Sequence, residues 1–290
     1  MNLLSYWKFI FLTLALLLNS LLCAVHVQAQ EIDQEAVDLL GEVDSVLGNS
    51  PGMEFKAELM ARMIGRDYHQ VALFKIQKDP LKIYYKQYER NPIELLYDET
   101  VDKEKALINP AGFPYTNLHL SPYSALILKR QHHSIFEADP AFMLEQLFYM
   151  FEACKPDKCT ISLTDTILNN KTHKKITYIN TYYKLEDIKV DTPVKLLDFA
   201  REHHVNFYSI VLNNENLSVS SKLNKGDYIK VPSSYAKKIV IVLKAPSRHI
   251  RSITVYDDEG VFEHYKYLWF KNNVVFSPHD FSPDNADYNF

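Results

Sequence analysis

Three cysteines in 290 residues are too few for a disulfide framework, and seven glycines exclude a collagen-like repeat. Lys and Arg together number 32 against 36 Asp and Glu, so the chain lacks the cationic excess of a broad nucleic-acid footprint. No nucleic-acid partner is expected. After residue 29 there is no apolar run of about eighteen residues, and no transmembrane segment is expected in the mature chain. The sequence also has no Gly-x-Ser-x-Gly elbow, no His-Glu-x-x-His helix and no glycine-rich phosphate loop. A non-enzymatic protein without cofactor or metal is the expectation. What the chain does carry is apolar and aromatic: 47% hydrophobic residues, 19 Tyr and 16 Phe. That composition excludes a disordered polymer, supplies a substantial core and favours strands.

The first residues read as a secretory signal. Lys8 precedes an almost uninterrupted apolar stretch from Phe9 to Val25, and Val27-Gln28-Ala29 has the small-residue pattern of a cleavage site, expected near Ala29. A retained membrane anchor is the competing reading. Acylation at Cys23 is a third, against which Leu22 argues, because lipid processing needs a small residue there. Export, to the periplasm of a Gram-negative bacterium, gives Cys154 and Cys159 an oxidising compartment. A structural disulfide across Cys-Lys-Pro-Asp-Lys-Cys is one reading and two free thiols the other, because Cβ geometry decides.

Periodicity divides the mature chain into elements. Glu31 to Gly48 repeats at helical spacing and stops at Asn49-Ser50-Pro51-Gly52. Met53, Phe55, Ala57, Leu59, Ala61 and Met63 alternate as a strand. His69 to Gln77 is expected as a second strand with Val71, Leu73 and Lys75 on one face. Leu81 to Tyr88, Ile93 to Tyr97 and Lys105 to Ile108 complete an antiparallel meander. Asp139 to Cys154 has a helical stripe, and strands return at 174–183, 237–244, 250–256 and 262–270. Two short helices interrupt them between Ile188 and Pro232.

That interruption resembles a LysM module, a small βααβ domain that binds N-acetylglucosamine-containing glycans. Ile188-Lys-Val190, Leu196-x-x-Phe199-Ala200, Val205 to Asn213 and the run Leu223-Asn-Lys-Gly226-Asp-Tyr-Ile229-Lys-Val231-Pro232 carry the resemblance. It departs at Pro193-Val194-Lys195-Leu196, where the family has a Gly-Asp/Glu-Thr-Leu turn. The flanking sequence resembles domain of unknown function family 1571, found in exported bacterial proteins, often from Bacteroidetes. The residues are Lys82-Ile-Tyr-Tyr-Lys86, Ala106-Leu-Ile-Asn-Pro110, Leu120-Ser-Pro-Tyr-Ser124, Gln131-His-His-Ser-Ile135 and Tyr256 to Tyr265. That family's layout is similar to the LolA and LppX fold, in which a curved sheet wraps around helices and accepts acyl chains.

The resemblances imply an α+β protein: a curved, mostly antiparallel sheet covered by helices, the LolA-like half barrel, with an inserted βααβ unit. Domain limits are then 1–29 for the signal, 30–187 and 233–290 for the sheet domain, and 188–232 for the insert. The concave side is expected to hold a lipid or lipoprotein acyl chain, which calls for an apolar space of a few hundred Å³ between sheet and helices. Its lining would be Phe55, Leu59, Leu73, Ile83, Tyr85, Phe142, Leu147 and Phe151. The alternative partner is peptidoglycan, bound by Val194, Lys195, Asn213 and Asn214 of the insert. Tyr84, Tyr85, Tyr88, Tyr97, Tyr115 and Tyr123 suit either a groove or an ordinary core. His132 and His133 are expected to diverge and to bond backbone groups at a loop-to-helix junction, away from His119, His264 and His279. Glu94 has no partner that sequence can name, and Asp257-Asp258-Glu259-Gly260 reads as a hairpin turn with its charges in water.

Overall fold

The computed structural model of the chain describes residues 32–88, 93–110, 112–113, 115–154 and 158–290. The expected signal and its cleavage point, Cys23, the Asn91-Pro92 turn and residues 155–157 between the thiols lie outside the described residues. Helix α1 (Gln34–Gly48) starts where the Asp33 carboxylate accepts from the Ala36 N–H, and it buries Ala36, Leu40, Val43 and Leu47. Strands β1 (Gly52–Met63), β2 (Arg66–Lys78), β3 (Leu81–Gln87), β4 (Glu94–Asp98), β5 (Ala106–Asn109) and β6 (Leu118–Leu120) form the meander. A short helix α2 (Ala125–Leu128), a 3₁₀ turn (Ile135–Glu137) and α3 (Pro140–Ala153) cross over it. Pro140 suits the first turn of α3, where the Asp139 carboxylate accepts from the Ala141 N–H at 2.8 Å.

A disulfide joins Cys154 at the end of α3 to Cys159 at the start of β7 (Cys159–Leu168). Strand β7 has no counterpart among the expected strands, and neither does β6. Strand β8 (Lys171–Asn180) follows through Asn169 and Asn170, both at positive φ, which matches the twist of a tight hairpin. The chain then leaves the sheet for β9 (Leu185–Lys189), β10 (Val194–Lys195), α4 (Leu196–Glu202), α5 (Phe207–Leu212), β11 (Lys222–Leu223) and β12 (Tyr228–Pro232). It returns as β13 (Lys238–Lys244), β14 (Ile250–Asp257) and β15 (Gly260–Lys271).

The sheet is curved, open and antiparallel, with eleven strands in the order β6-β5-β4-β3-β2-β1-β15-β14-β13-β8-β7. The first and last strands in sequence, β1 and β15, are neighbours at its centre. Strand β8 pairs directly with β13, so residues 181–237 leave and return at one point, and β9 pairs with β12 outside the main sheet.

Both faces of β2 to β4 are apolar. On the concave face, β2 buries Gln70, Ala72, Phe74 and Ile76 beside Phe55 and Tyr85. Val71, Leu73 and Lys75 therefore point the other way, and Leu73 is no part of a concave site. The expected face of this strand was one residue out of step, because Leu73 is partly covered from behind. It packs with Tyr84, Leu96 and Phe281, together with Phe276, Tyr288 and Phe290 of the chain's last segment. Tyr288 stacks on Tyr84 with ring centroids 3.7 Å apart, and Lys75 pairs with Asp280 at 2.9 Å. Glu94 is fully buried on that side, where it accepts from the Tyr84 hydroxyl at 2.8 Å and pairs with Lys86 at 3.0 Å. Asp257 also departs from the solvated turn expected of it, since it is mostly buried and paired with Arg62, whereas Asp258 and Glu259 are exposed.

Gly52 lets this last segment pass: a Cβ there would lie 2.6 Å from the Val274 carbonyl oxygen and 2.9 Å from the Phe276 ring. Gly52→Ala is expected to destabilise the protein by about 1–3 kcal/mol through overpacking, measured by urea unfolding.

Candidate functional site

On the concave face, β1, β2 and β3 place Phe55, Phe74 and Tyr85 in one row across the sheet, because their register aligns Phe55 with Phe74 and Phe74 with Tyr85. The Phe55 and Phe74 rings stack at 4.8 Å, and Phe74 meets Tyr85 at 5.1 Å. Beneath α3 and the 127–140 segment these rings, with Leu59, Leu95 and Met143, line an apolar cavity of about 90 Å³. That volume equals the liquid share of about three waters. It is smaller than the few hundred Å³ that carriage calls for, and Ile127, Ile135, Pro140 and Met143 of the covering segment form its outer wall.

One wall of the cavity is polar. Gln70 and Gln131 exchange amide hydrogen bonds at 3.0 and 3.2 Å, joining β2 to the covering segment. Beside them, His132 and His133 both reach the fully buried carboxylate of Glu263 on β15. His132 Nδ1 is 3.2 Å and His133 Nε2 2.9 Å from Oε2. Tyr265 donates to the same oxygen at 3.0 Å, and Tyr235 donates to Oε1 at 2.9 Å. Four donors thus meet the lone pairs of one carboxylate. The two histidines do sit at a loop-to-helix junction, and His132 Nε2 lies 3.0 Å from the Arg62 carbonyl oxygen. Their convergence on one side chain differs from the divergence expected of neighbours, because residues 131–134 are neither helix nor strand.

The electrostatics follow from this geometry. Burial opposes the His133 charge, but the Glu263 carboxylate and then Glu137 hold the imidazole pKa up at about 10. Burial likewise opposes the Glu263 charge, and the His133 charge with bonds from both histidines holds its carboxyl well below the usual range. Burial and the same carboxylate push the Tyr235 and Tyr265 phenols well above theirs, so both remain donors. Three of the contacts on Glu263 fall on Oε2 and one on Oε1, and the carboxylate is fully buried behind them. Among the described residues no group of three His, Cys, Asp or Glu could hold a metal ion.

Of the residues expected to line a cavity, Phe55, Leu59 and Tyr85 do so. Ile83 and Leu147 are fully buried in the core around it, and Leu73 is on the opposite face. Phe142 and Phe151 are both half-buried against the core, Phe142 lying beside His133 and along the outer groove of α3. Sequence reasoning missed Gln70, Gln131, His133 and Tyr265 as lining residues and Glu263 as the buried charge behind them. The available signal was Glu263-x-Tyr265-x-Tyr267, a charge at an inward position of an alternating strand. In the insert, the Asn213 amide donates to the Ser209 carbonyl at 2.8 Å. The Asn214 amide bonds Ile210 and Lys230, so both residues cap α5 and Asn214 also ties it to β12. Val194 and Lys195 pair with Leu223 and Lys222 in β10 and β11.

No family model and no curated protein matches the chain. Solved structures with a similar layout exist. They include the Mycobacterium tuberculosis lipoprotein LppX, at TM-score 0.39 and 9% identity over 84% of this chain and 98% of that one. A LolA superfamily protein from Nitrosomonas europaea has TM-score 0.30 and 7% identity over 86% and 98%. An uncharacterized conserved protein from Thermus thermophilus has TM-score 0.39 and 6% identity over 87% and 96%. What the cavity can hold follows from its own lining.

The His133–Glu263 pair makes stability pH-dependent. His133 is raised from 6.5 to about 10, so its contribution is complete below pH 6.5 and is lost as pH rises through 10. Glu263 is lowered from 4.5, so its contribution is complete above 4.5 and is lost as pH falls. The pair's contribution is therefore full between pH 4.5 and 6.5. The melting temperature is expected to fall between pH 6.5 and 10, and His133→Gln to flatten that limb while costing about 3–5 kcal/mol at pH 6.

Proposed function

We propose that the protein is a non-enzymatic component of the bacterial cell envelope, exported to the periplasm, whose cavity takes up the hydrocarbon part of an amphiphile such as a lipid or a lipoprotein acyl chain. The observation that carries this reading is the apolar row of Phe55, Phe74, Tyr85 and Leu95 under α3, open to a separate segment rather than filled by the sheet's own side chains. A volume of about 90 Å³ takes only a few methylene groups, so a longer chain enters by displacing the 127–140 cover. That cover is held to the sheet by Gln70–Gln131, by the histidines on Glu263 and by the buried side chains of Leu128 and Ile135, so uptake of a longer chain has to offset the loss of these contacts. Among the described residues no helix is long and apolar enough to cross a membrane.

Lipid extraction of protein purified without detergent, followed by mass spectrometry, tests the reading. Co-purified acyl lipid at near one-to-one stoichiometry is the expected result. Ala57→Leu, which fills the cavity from β1, is expected to remove that lipid while the protein stays folded. Lipid-free wild-type protein that also fails to take up added fatty acid sinks the proposal.

A second reading rests on the unit between β8 and β13. Its β9–β12 pair with α4 and α5 between them has the strand–helix–helix–strand order of the LysM-like resemblance. On this reading the insert holds the protein on peptidoglycan, with Lys195 exposed at the rim of the expected groove. Sedimentation with purified sacculi is expected to retain the wild type and to lose Lys195→Glu. Equal retention of both would exclude the groove.

A further inference from the structure

Helix α3 has an unusual composition for its position. All but Glu145, Gln146 and Glu152 of its fourteen residues are apolar or aromatic, which is the composition of a helix covered on every side. Met143, Leu144, Leu147 and Met150 face the core, and the outer side is only partly covered, by His204 stacked on Tyr149 at 3.6 Å. There Phe142, Phe148 and Tyr149 form the floor of a groove of about 610 Å³, with Tyr149 42% exposed. An aromatic strip of this kind on a surface marks a binding face.

The rim decides what fits. Asp44 of α1 and Glu145 and Glu152 of α3 line the groove, and none has an ion-pair partner among the described residues. Among the described residues no lysine or arginine lines it, and the basic-capable side chain there is His204. Lys78 is bonded to Asp139 at 2.9 Å, and Arg201, in the adjoining groove, is already paired with Asp198 at 3.6 Å. Three unpaired carboxylates repel an anionic lipid surface and a second copy of the same face, whereas they attract a cation.

We propose that this groove docks a cationic amphipathic segment of a partner protein, with apolar side chains over Phe142, Phe148 and Tyr149 and Lys or Arg facing Asp44, Glu145 and Glu152. The inner side of the same helix carries Met143 into the apolar cavity, so a docked partner would bear on the cavity's cover. The groove's chemistry does not depend on what the cavity holds.

The test uses two dye-labelled synthetic helices of equal length, one of Leu and Lys and one of Leu and Glu, titrated with the purified protein by fluorescence anisotropy. The Leu/Lys peptide is expected to bind saturably and the Leu/Glu peptide not at all. Glu145→Lys with Glu152→Lys is expected to weaken binding about tenfold or more, and Phe148→Ala to weaken it as well. Asp258→Lys with Glu259→Lys, on the remote hairpin turn, should leave it unchanged. Glu145 and Glu152 are exposed, so their replacement spares the fold, which circular dichroism checks. Absence of saturable binding overturns the proposal, as does binding that ignores the Glu145 and Glu152 substitutions or is matched by the Leu/Glu peptide. Two further results overturn it in favour of another occupant: a sedimenting dimer, or phosphatidylglycerol-vesicle binding, that Phe148→Ala abolishes.

Discussion

One buried carboxylate holds the concave side together. Glu263 sits on β15, next to β1 at the centre of the sheet, and cannot be buried alone, since an unpaired charge there costs several kcal/mol. Its partners come from separate parts of the chain: His132 and His133 from the cover, Tyr265 from the same strand, and Tyr235 from the return after the insert. Asn206, which caps α5 of the insert, donates to the His132 carbonyl at 3.1 Å and so draws that unit into the same cluster. The need to satisfy one charge thus positions the cover and the insert relative to the sheet.

The second constraint is that the sheet is covered on both sides near β3 and β4. On the concave side α1, α3 and the 127–140 segment lie over it, and on the other side the last segment lays Phe276, Phe281 and Tyr288 across Tyr84 and Leu96. The same physics serves both faces, and their fillings differ. The rear face is packed tightly around Gly52 and the Tyr84–Tyr288 stack, whereas the concave face retains a space lined by side chains that only the cover closes.

Much of the fold was legible because it rests on local spacing. The 3.6-residue repeat located α1 and α3, the alternation from Met53 to Met63 located β1 with its correct face, and Asp257 to Gly260 marked the β14–β15 turn. Strand β2 shows where that logic stops. Val71 and Leu73 are as apolar as Ala72 and Phe74, and alternation selects a face only when one face is wet. Strand β7 escaped for a related reason: its outer half is exposed, and Thr and Ser share its length with Ile and Leu.

The site followed the same division. Phe55, Leu59 and Tyr85 were readable as lining because each lies on the buried side of a strand whose alternation is local. His133 and Glu263 are 130 positions apart, and nothing within a window of neighbouring residues links them. Composition, periodicity and turn chemistry set which segments become strands or helices and that the chain buries a large aromatic core. Which face of β2 is inward, which charge meets which imidazole, and whether a cavity remains between sheet and helix depended on where the ends of the chain return. Those are contacts between distant residues, and only the assembled sheet brings them within hydrogen-bonding distance.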